Sequence, residues 1–448
     1  MSSSLADRLR GIVGPGSGIW GPGSDSSLPG AERRIPDPGF RTPSVGDAAE
    51  ILDGAWAEGR GQRYLVVDRT YGPGHRHGRL AMMDVMPDED GLWPRLSLLC
   101  APEPPRPGRL LFVDLETTGL AGGAGTYAFL VGCAWFDGPM FRIRQFFLSA
   151  YAAERALLDG VAALAGGATG VVSFNGKSFD LPLIETRFLY HRGETPFAGL
   201  PHVDMLHPAR RLWRGEEDEA AGTTASCRLG TLEQTLCGVA RDGDVPGFEI
   251  PARYFHYVRT GDARPLEKVF EHNRLDLISL ALLTARASQL LDGGPEAART
   301  PREALGLGRL YERGGLWDLA RKAYALAAGI DHIAYVEAGV SRPDVVTRAE
   351  ALRCYAVICR RQRRFADAAD GWQRILTLRR CPAHISREAT EALAVHHEHR
   401  LRDPHSAKLF ALQSLRFEPS VSRQHAVRHR LARLERKLGG PATDALRF

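Results

Sequence analysis

Apolar and polar positions follow two regimes along the chain, and the change comes near residue 295. In the front part, short apolar runs are separated by Gly, Pro and Asp. VGDAAEILDGAW reads as a short helix, and RYLVVDRTY and LWPRLSLLC read as strands. APEPPRPG (101–108) repeatedly fixes φ and removes backbone donors, so it reads as a linker. RLLFVDLETTG is a buried strand. YAFLVGCAWFDGPMFRIRQFFLS gives two more strands around a turn at Asp137-Gly138. The spacing then predicts a helix (AAERALLDGVAALA), a strand (TGVVSFN), a helix (FDLPLIETRFLYHR), a strand leading to a helix (PHVDMLHPARRLW), and a long helix (PLEKVFEHNRLDLISLALLTARASQLL) with Pro265 suited to its first turn. A three-strand meander followed by alternating helices and strands predicts an α/β fold, a mixed sheet flanked by helices.

After a second breaker, DGGPEAARTP, only helical spacing remains, and it repeats. Ala304, Leu307, Gly308, Tyr311, Ala320, Tyr324 and Ala327 fall on the tetratricopeptide pattern, and Leu352, Tyr355, Ala356, Cys359, Ala368, Trp372 and Ile375 repeat its offsets. A weaker copy runs from Glu391 through Ala407 and Ala411 to Pro419. Helical hairpins with Ala and aromatic residues packing a core would look almost the same. The expected plan is a Gly/Pro/Ser-rich disordered segment over 1–45, a small β-containing element and linker over 46–105, the α/β domain over 106–292, and an all-α tetratricopeptide-like helical repeat domain over 300–440.

The net charge of +5 over 448 residues hides a division. Residues 301–448 hold 27 Lys+Arg against 16 Asp+Glu, so the back is basic and the front acidic. Clustered cations can replace the counterions of a phosphate backbone, although basic helices are often no more than solvated faces. Arg361, Arg364 and Arg380 are the candidate phosphate contacts. No apolar run is long enough for a membrane span, and the N-terminal residues lack a signal-peptide core. Seven cysteines with no CxxC pair argue against a disulfide framework or a structural zinc site. A cytoplasmic protein is expected.

Three small constellations could carry chemistry. Asp114 and Glu116 lie two apart on an apolar strand, so both carboxylates project from one face, about 7 Å apart along it. If they approach to about 4 Å in a medium of dielectric about 20, their repulsion is about 4 kcal/mol. A hard divalent cation resolves this, but a lone pair of this kind is more often a turn cap and a solvated acid. Asn175-Gly176-Lys177-Ser178-Phe179-Asp180 joins a strand to a helix and places Asp180 at the helix start, where an acid is favoured by the dipole as a cap. The same tetrapeptide NGKS imitates a phosphate-binding loop, but Val171 stands where that loop needs Gly, which excludes the NTPase reading. His272 and Asp276 share one face of the long helix, a spacing common in surface pairs.

Taken in order, DxE with TTG, then N-x4-D, then H-x3-D in a long helix resemble the three exonuclease motifs of the DEDD superfamily, nucleic-acid hydrolases with a ribonuclease-H-like fold. The nearer resemblance is to the bacterial YprB-type proteins, a ribonuclease-H-like domain followed by tetratricopeptide repeats. It is carried by VDLETTGL (113–120), GGAGTYAFLVG (122–132), SFNGKSFDLPLIETRF (173–188), HVDMLHPARRLW (202–213) and HNRLDLISL (272–280). It covers about 46–292 and extends through the repeats. DEDD enzymes carry Y-x3-D or H-x4-D; here His takes the Tyr spacing, a rotation of about 100° on a helix.

The resemblance implies two Mg²⁺ or Mn²⁺ ions held by Asp114, Glu116, Asp180 and Asp276, with His272 as proton acceptor. Thr117, Thr118, Gly119 and Asn175 would face the substrate, the sugar and base packing on the loop after Gly119. Asp204 is read as structural. The activity implied is 3′→5′ hydrolysis of nucleic acid to nucleoside 5′-monophosphates, DNA favoured over RNA, in a repair role with a helicase partner reached through the repeats. Two other classes stay open: a nucleic-acid-binding pseudo-enzyme, and a repeat-based protein scaffold.

Overall fold

The computed structural model describes residues 45–93, 95–99, 105–119, 125–214, 227–330, 343–416 and 421–439. The segment expected to be disordered falls outside these residues up to position 44. Seven strands form one sheet: β1 (Ala55–Gly59), β2 (Gln62–Tyr71), β3 (Arg109–Thr117), β4 (Ala128–Asp137), β5 (Met140–Phe147), β6 (Ala168–Ser173) and β7 (His202–Asp204). Their spatial order is β1-β2-β5-β4-β3-β6-β7. β3 is antiparallel to β4 and parallel to β6, and β6 is parallel to β7, so the sheet is mixed. Strand β2 pairs with β5 along Leu65↔Phe147 to Tyr71↔Phe141, so the 46–105 segment does not stand apart but adds two strands to the sheet edge.

Period-2 alternation divides β3 between two cores. Leu111, Val113 and Leu115 pack with α1 (Glu154–Ala165), α2 (Asp180–Tyr190), α4 (Ile250–Thr260) and the first turns of α5 (Glu267–Gly293). Leu110 and Phe112 face the other way, into the core that also holds Leu212 of α3 (Leu206–Leu212) and the rest of α5. Asp114 and Glu116 continue that second face.

Two local expectations are corrected. LWPRLSLLC is not a strand: it contains a 3₁₀ turn at Leu96–Leu98, and Trp93, Leu96 and Leu99 are buried at a spacing of three, with Arg95 at φ +56°. The β4–β5 hairpin pairs Asp137 with Met140, which moves the turn to Gly138-Pro139, with Gly138 at φ +54°.

The helical region supplies α6 (Pro301–Arg313) with α7 (Trp317–Ala328), α8 (Val345–Arg361) with α9 (Phe365–Thr377), α10 (Ala383–His396) with α11 (Pro404–Leu415), and a terminal α12 (Val421–Lys437). The pattern residues of the first two hairpins are all buried; Pro419 of the third copy lies outside the described residues. A Cβ at Gly308 would stand 2.3 Å from the Tyr324 ring, which is why this helix pair can close. The breaker before α6 is a packed corner, with Pro295 and Ala298 buried. Trp213 Nε1 donates to Glu303 (3.0 Å), Tyr311 Oη to the Leu291 carbonyl (2.7 Å) and Arg313 to the Leu98 carbonyl (2.7 Å). The first two helical hairpins therefore share one continuous core with the sheet.

On the opposite side, Arg187 is fully buried in α2 and pairs with Glu154 through Nε (2.6 Å) and Nη2 (2.5 Å), while His191 holds the same carboxylate at 2.7 Å. The guanidinium also lies over the rings of Tyr127 (4.3 Å) and Tyr190 (4.6 Å). Replacing Glu154 with Gln leaves a buried cation without its counter-charge. A loss of about 3–5 kcal/mol is expected in chemical denaturation; a loss below about 1 kcal/mol would contradict this role.

Candidate active site

The site begins with a layer across three strands. Asp114 lies opposite Gly132, and Gly132 opposite Gln145. With no side chain at Gly132, Asn273 of α5 descends onto the sheet: a Cβ there would stand 2.3 Å from its Oδ1. Asn273 Nδ2 donates to Asp114 Oδ2 (2.8 Å) and to the Asp114 carbonyl (3.2 Å). Its Oδ1 accepts from Gln145 Nε2 (2.8 Å), whose other bond goes to the Phe270 carbonyl. This clamp fixes α5 against β3 and orients the Asp114 carboxylate. A register shift between Glu116 and Thr117 then re-aims the end of the strand.

Asp180 is placed by the loop that follows β6. Asp204 accepts from the backbone of Asn175 (2.7 Å), Lys177 (3.0 Å) and Leu206 (3.1 Å). That agrees with a structural reading of Asp204. Asn175 adopts φ +68°, and the Gly176 N–H donates to Ser173 Oγ (3.2 Å), where a Cβ on Gly176 would not fit. The tight loop delivers Asp180 as the first residue of α2.

From α5 come His272 and Asp276. His272 Nδ1 is 2.8 Å from Asp244 Oδ1, and its Nε2 is 3.6 Å from Asp276 Oδ2. Arg241 reaches Glu233 (2.6 Å), Asp244 (3.4 Å) and Asp276 (2.7 Å) with its three nitrogens.

The charges of Asp180 and Asp276 act on both acids of β3. Burial raises the Asp114 carboxyl well above its usual range, and Asp276, Glu116 and Asp180 push it further, against the Asn273 hydrogen bond. Burial likewise raises Glu116, with Asp276, Asp180 and Asp244 adding to it. Asp180 is pushed up to about 7 by burial, partly offset by backbone N–H groups of Asp180 and Leu115, and raised again by Asp204 and Asp276. Asp276 is raised by burial, against the pull of His272 and Arg241. Asp244 behaves oppositely. Burial acts to raise it, but the His272 hydrogen bond and the charges of His272 and Arg241 hold it below the usual carboxylate range.

Asp114 and Glu116, raised by the charges of Asp180 and Asp276, form with them an all-oxygen donor set that suits a hard divalent cation. Among the described residues, no three such side chains are already drawn together as a cation shell.

The remaining expected site residues have partners of their own. Thr117 Oγ1 donates to the Gly119 carbonyl (3.0 Å) and Thr118 Oγ1 accepts from Tyr127 N–H (2.9 Å), so both hydroxyls close the turn. A Cβ on Gly119 would meet open space, and the loop at 120–124 lies outside the described residues. Arg361 lies over Trp317 (4.5 Å) with Glu312 at 3.4 Å, and Arg364 pairs with Asp367 (2.5 Å). Arg380 follows α9 while Arg364 precedes it, so they sit at opposite ends of a helix about 20 Å long and cannot form one patch. Sequence reasoning missed Asn273, Gln145, Arg241 and Asp244. A Gln on the strand face shared by Phe141, Ile143 and Phe147 was the available signal.

An acid raised on folding stabilises the fold below its unfolded value and loses that contribution as pH rises through the folded value. For cation-free protein, Asp180 should therefore cost stability from about pH 4 upward, fully above about pH 7. D180N is expected to be neutral near pH 4 and to gain at least about 1 kcal/mol at pH 8, read as a rise of about 1 °C in Tm for each kcal/mol. No gain at pH 8 would contradict the raised carboxyl.

Residues 111–288 match the family model of the RNase_H superfamily. The chain is also similar to the Bacillus subtilis (strain 168) protein described as "Uncharacterized protein YprB", at 28% identity over 378 residues, covering 83% of this chain and 86% of that one. No described helix is long and apolar enough to cross a membrane. The α/β part of the chain is a ribonuclease-H-like domain, a fold that fits a nuclease-type hydrolase, and an all-helical region follows it.

Proposed function

We propose that the chain is a metal-dependent 3′→5′ exonuclease of the DEDD type that hydrolyses nucleic acid to nucleoside 5′-monophosphates. The observation that supports this reading is that the charges of Glu116, Asp180 and Asp276, drawn from three separate motifs, all act on the Asp114 carboxyl, with His272 Nε2 3.6 Å from Asp276. Held by these four acids, two Mg²⁺ or Mn²⁺ ions would supply Lewis-acid stabilisation of the attacking and leaving oxygens. His272 Nε2 accepts the proton of the attacking water, which forms the new P–O bond as the 3′ oxygen of the preceding nucleotide leaves. The Thr117–Gly119 turn and the Asn175 loop border the terminal nucleotide. DNA is favoured over RNA, and a repair role beside a helicase is proposed on the resemblance alone.

The helical region holds the polymer by its phosphates, with Arg361 and Arg364 at one rim and Arg380 at the other. One observation favours a second role there. A groove between α8 and α10 is lined by Glu350, Arg353, His384, Arg387, Glu388 and Glu391, with Arg353 and Glu388 paired at 2.6 Å. Mixed charge of this kind suits a protein partner better than a phosphate backbone.

Full-length protein with Mn²⁺ is expected to degrade a 3′-labelled single-stranded oligonucleotide. D114A and D276A should abolish degradation, and H272A should lower kcat about 10²–10⁴-fold. Undiminished turnover by either acid variant would overturn the assignment. R361E/R364E should weaken DNA binding and lower its salt slope by about 0.7–0.9 per lost phosphate contact; an unchanged slope would move the holding surface elsewhere.

A further inference from the structure

Around His272 the polar contacts form a closed ring. Asp244 meets the imidazole Nδ1 (2.8 Å), the imidazole Nε2 faces Asp276 (3.6 Å), and Arg241 joins Asp276 (2.7 Å) back to Asp244 (3.4 Å). We propose that Asp244 and Arg241 are positioning residues that hold His272 in one tautomer and aim its Nε2 at the acid cluster; this rests on the reading of His272 as the proton acceptor.

The tautomer follows from donor and acceptor chemistry. An ionised carboxylate only accepts hydrogen bonds, so the hydrogen of the 2.8 Å contact sits on Nδ1. In the neutral ring Nε2 then carries the lone pair, and it is the nitrogen turned toward Asp276. Asp244 is itself held, since its Oδ1 also accepts from the Val245 N–H at 2.8 Å. On α5 the His at this spacing shares the face of Asp276, and rotation about its side chain would otherwise be free to turn either nitrogen inward. Asp244, arriving from the segment before α4, removes that freedom.

Arg241 sets the separation of the two carboxylates on either side of the ring. Its side chain is 9% exposed, and its Nε is fixed by Glu233 at 2.6 Å. Glu233 is in turn held by His77 Nε2 (2.5 Å) and by the Ser279 hydroxyl (2.7 Å). The guanidinium can engage three carboxylates because its nitrogens point in three fixed directions, which an ammonium cannot reproduce. Through His77 the edge segment before β3 is coupled to the position of Asp276. That gives the 72–99 region a task in the site.

The test is the ring ¹⁵N spectrum of the full-length protein labelled at histidine, with the His272 resonances assigned by difference against H272Q. At a pH where the ring is neutral, the expected result is protonation at Nδ1, retained in D244N, whose amide oxygen still accepts, and lost in D244A. A wild-type ring protonated at Nε2 overturns the proposal without reference to any variant. In turnover with Mn²⁺, D244A should lower kcat about 10²-fold at unchanged KM, D244N should lose less, and R241K should not restore activity lost in R241A. Mn²⁺ affinity of D244A, read by calorimetry, should match wild type. An unchanged kcat in D244A, or a loss expressed in KM alone, also overturns it. If the wild-type chain degrades no nucleic acid, the exonuclease reading fails, and the tautomer alone decides the positioning role.

Discussion

Four carboxylates facing one another beside a buried strand are the constraint that the rest of the site answers. Each is driven toward its neutral form by burial, and for Asp114 and Glu116 the neighbouring acids drive it further. Among the described residues, Arg241 is the cation paired with this cluster, and of the four acids it reaches Asp276. Asn273 contributes a hydrogen bond to Asp114, and backbone N–H groups contribute to Asp180. None of these contacts cancels the accumulated negative charge. A fold that maintains such repulsion in a partly dry environment carries a standing cost unless a cation relieves it.

The architecture supports that arrangement from behind. Helix α5 crosses the sheet at Gly132, presents Asn273, His272 and Asp276 toward the acids, and then buries its second half in the core shared with α6 to α10. The helical region therefore buttresses the helix that carries two site residues. Tyr311, Trp213 and Arg313 tie the two parts together by hydrogen bonds as well as by apolar packing. Movement of the first helical hairpins against the sheet would have to break these contacts.

Much of this was legible in local pattern. The strand RLLFVDLET, the long helix and the loop before Asp180 were readable because each is a single continuous periodic segment, and the order of three short motifs pointed to one kind of site. What escaped were contacts between segments distant in sequence. Asn273 has its role only because Gly132 lies opposite Asp114 in register, and register is set by pairing across the sheet. Arg241 and Asp244 come from a stretch with no periodic signal and act by meeting α5 in space. LWPRLSLLC misled because its apolar content is high, yet burial every third residue, not every second, is what its packing uses. The edge strands β1 and β2 looked separate since a Pro-rich segment follows them, although β2 pairs with β5 some 70 residues later.

The central claim is that the four acids are kept apart in charge only by a cation. Calorimetric titration of Mn²⁺ into the full-length, chelator-stripped protein at pH 8 tests it most directly, alongside the same titration into D114N/D276N. Saturable binding to the wild-type chain that is lost in the double variant is the result expected. Absence of saturable binding, or binding that survives in the double variant, would contradict it.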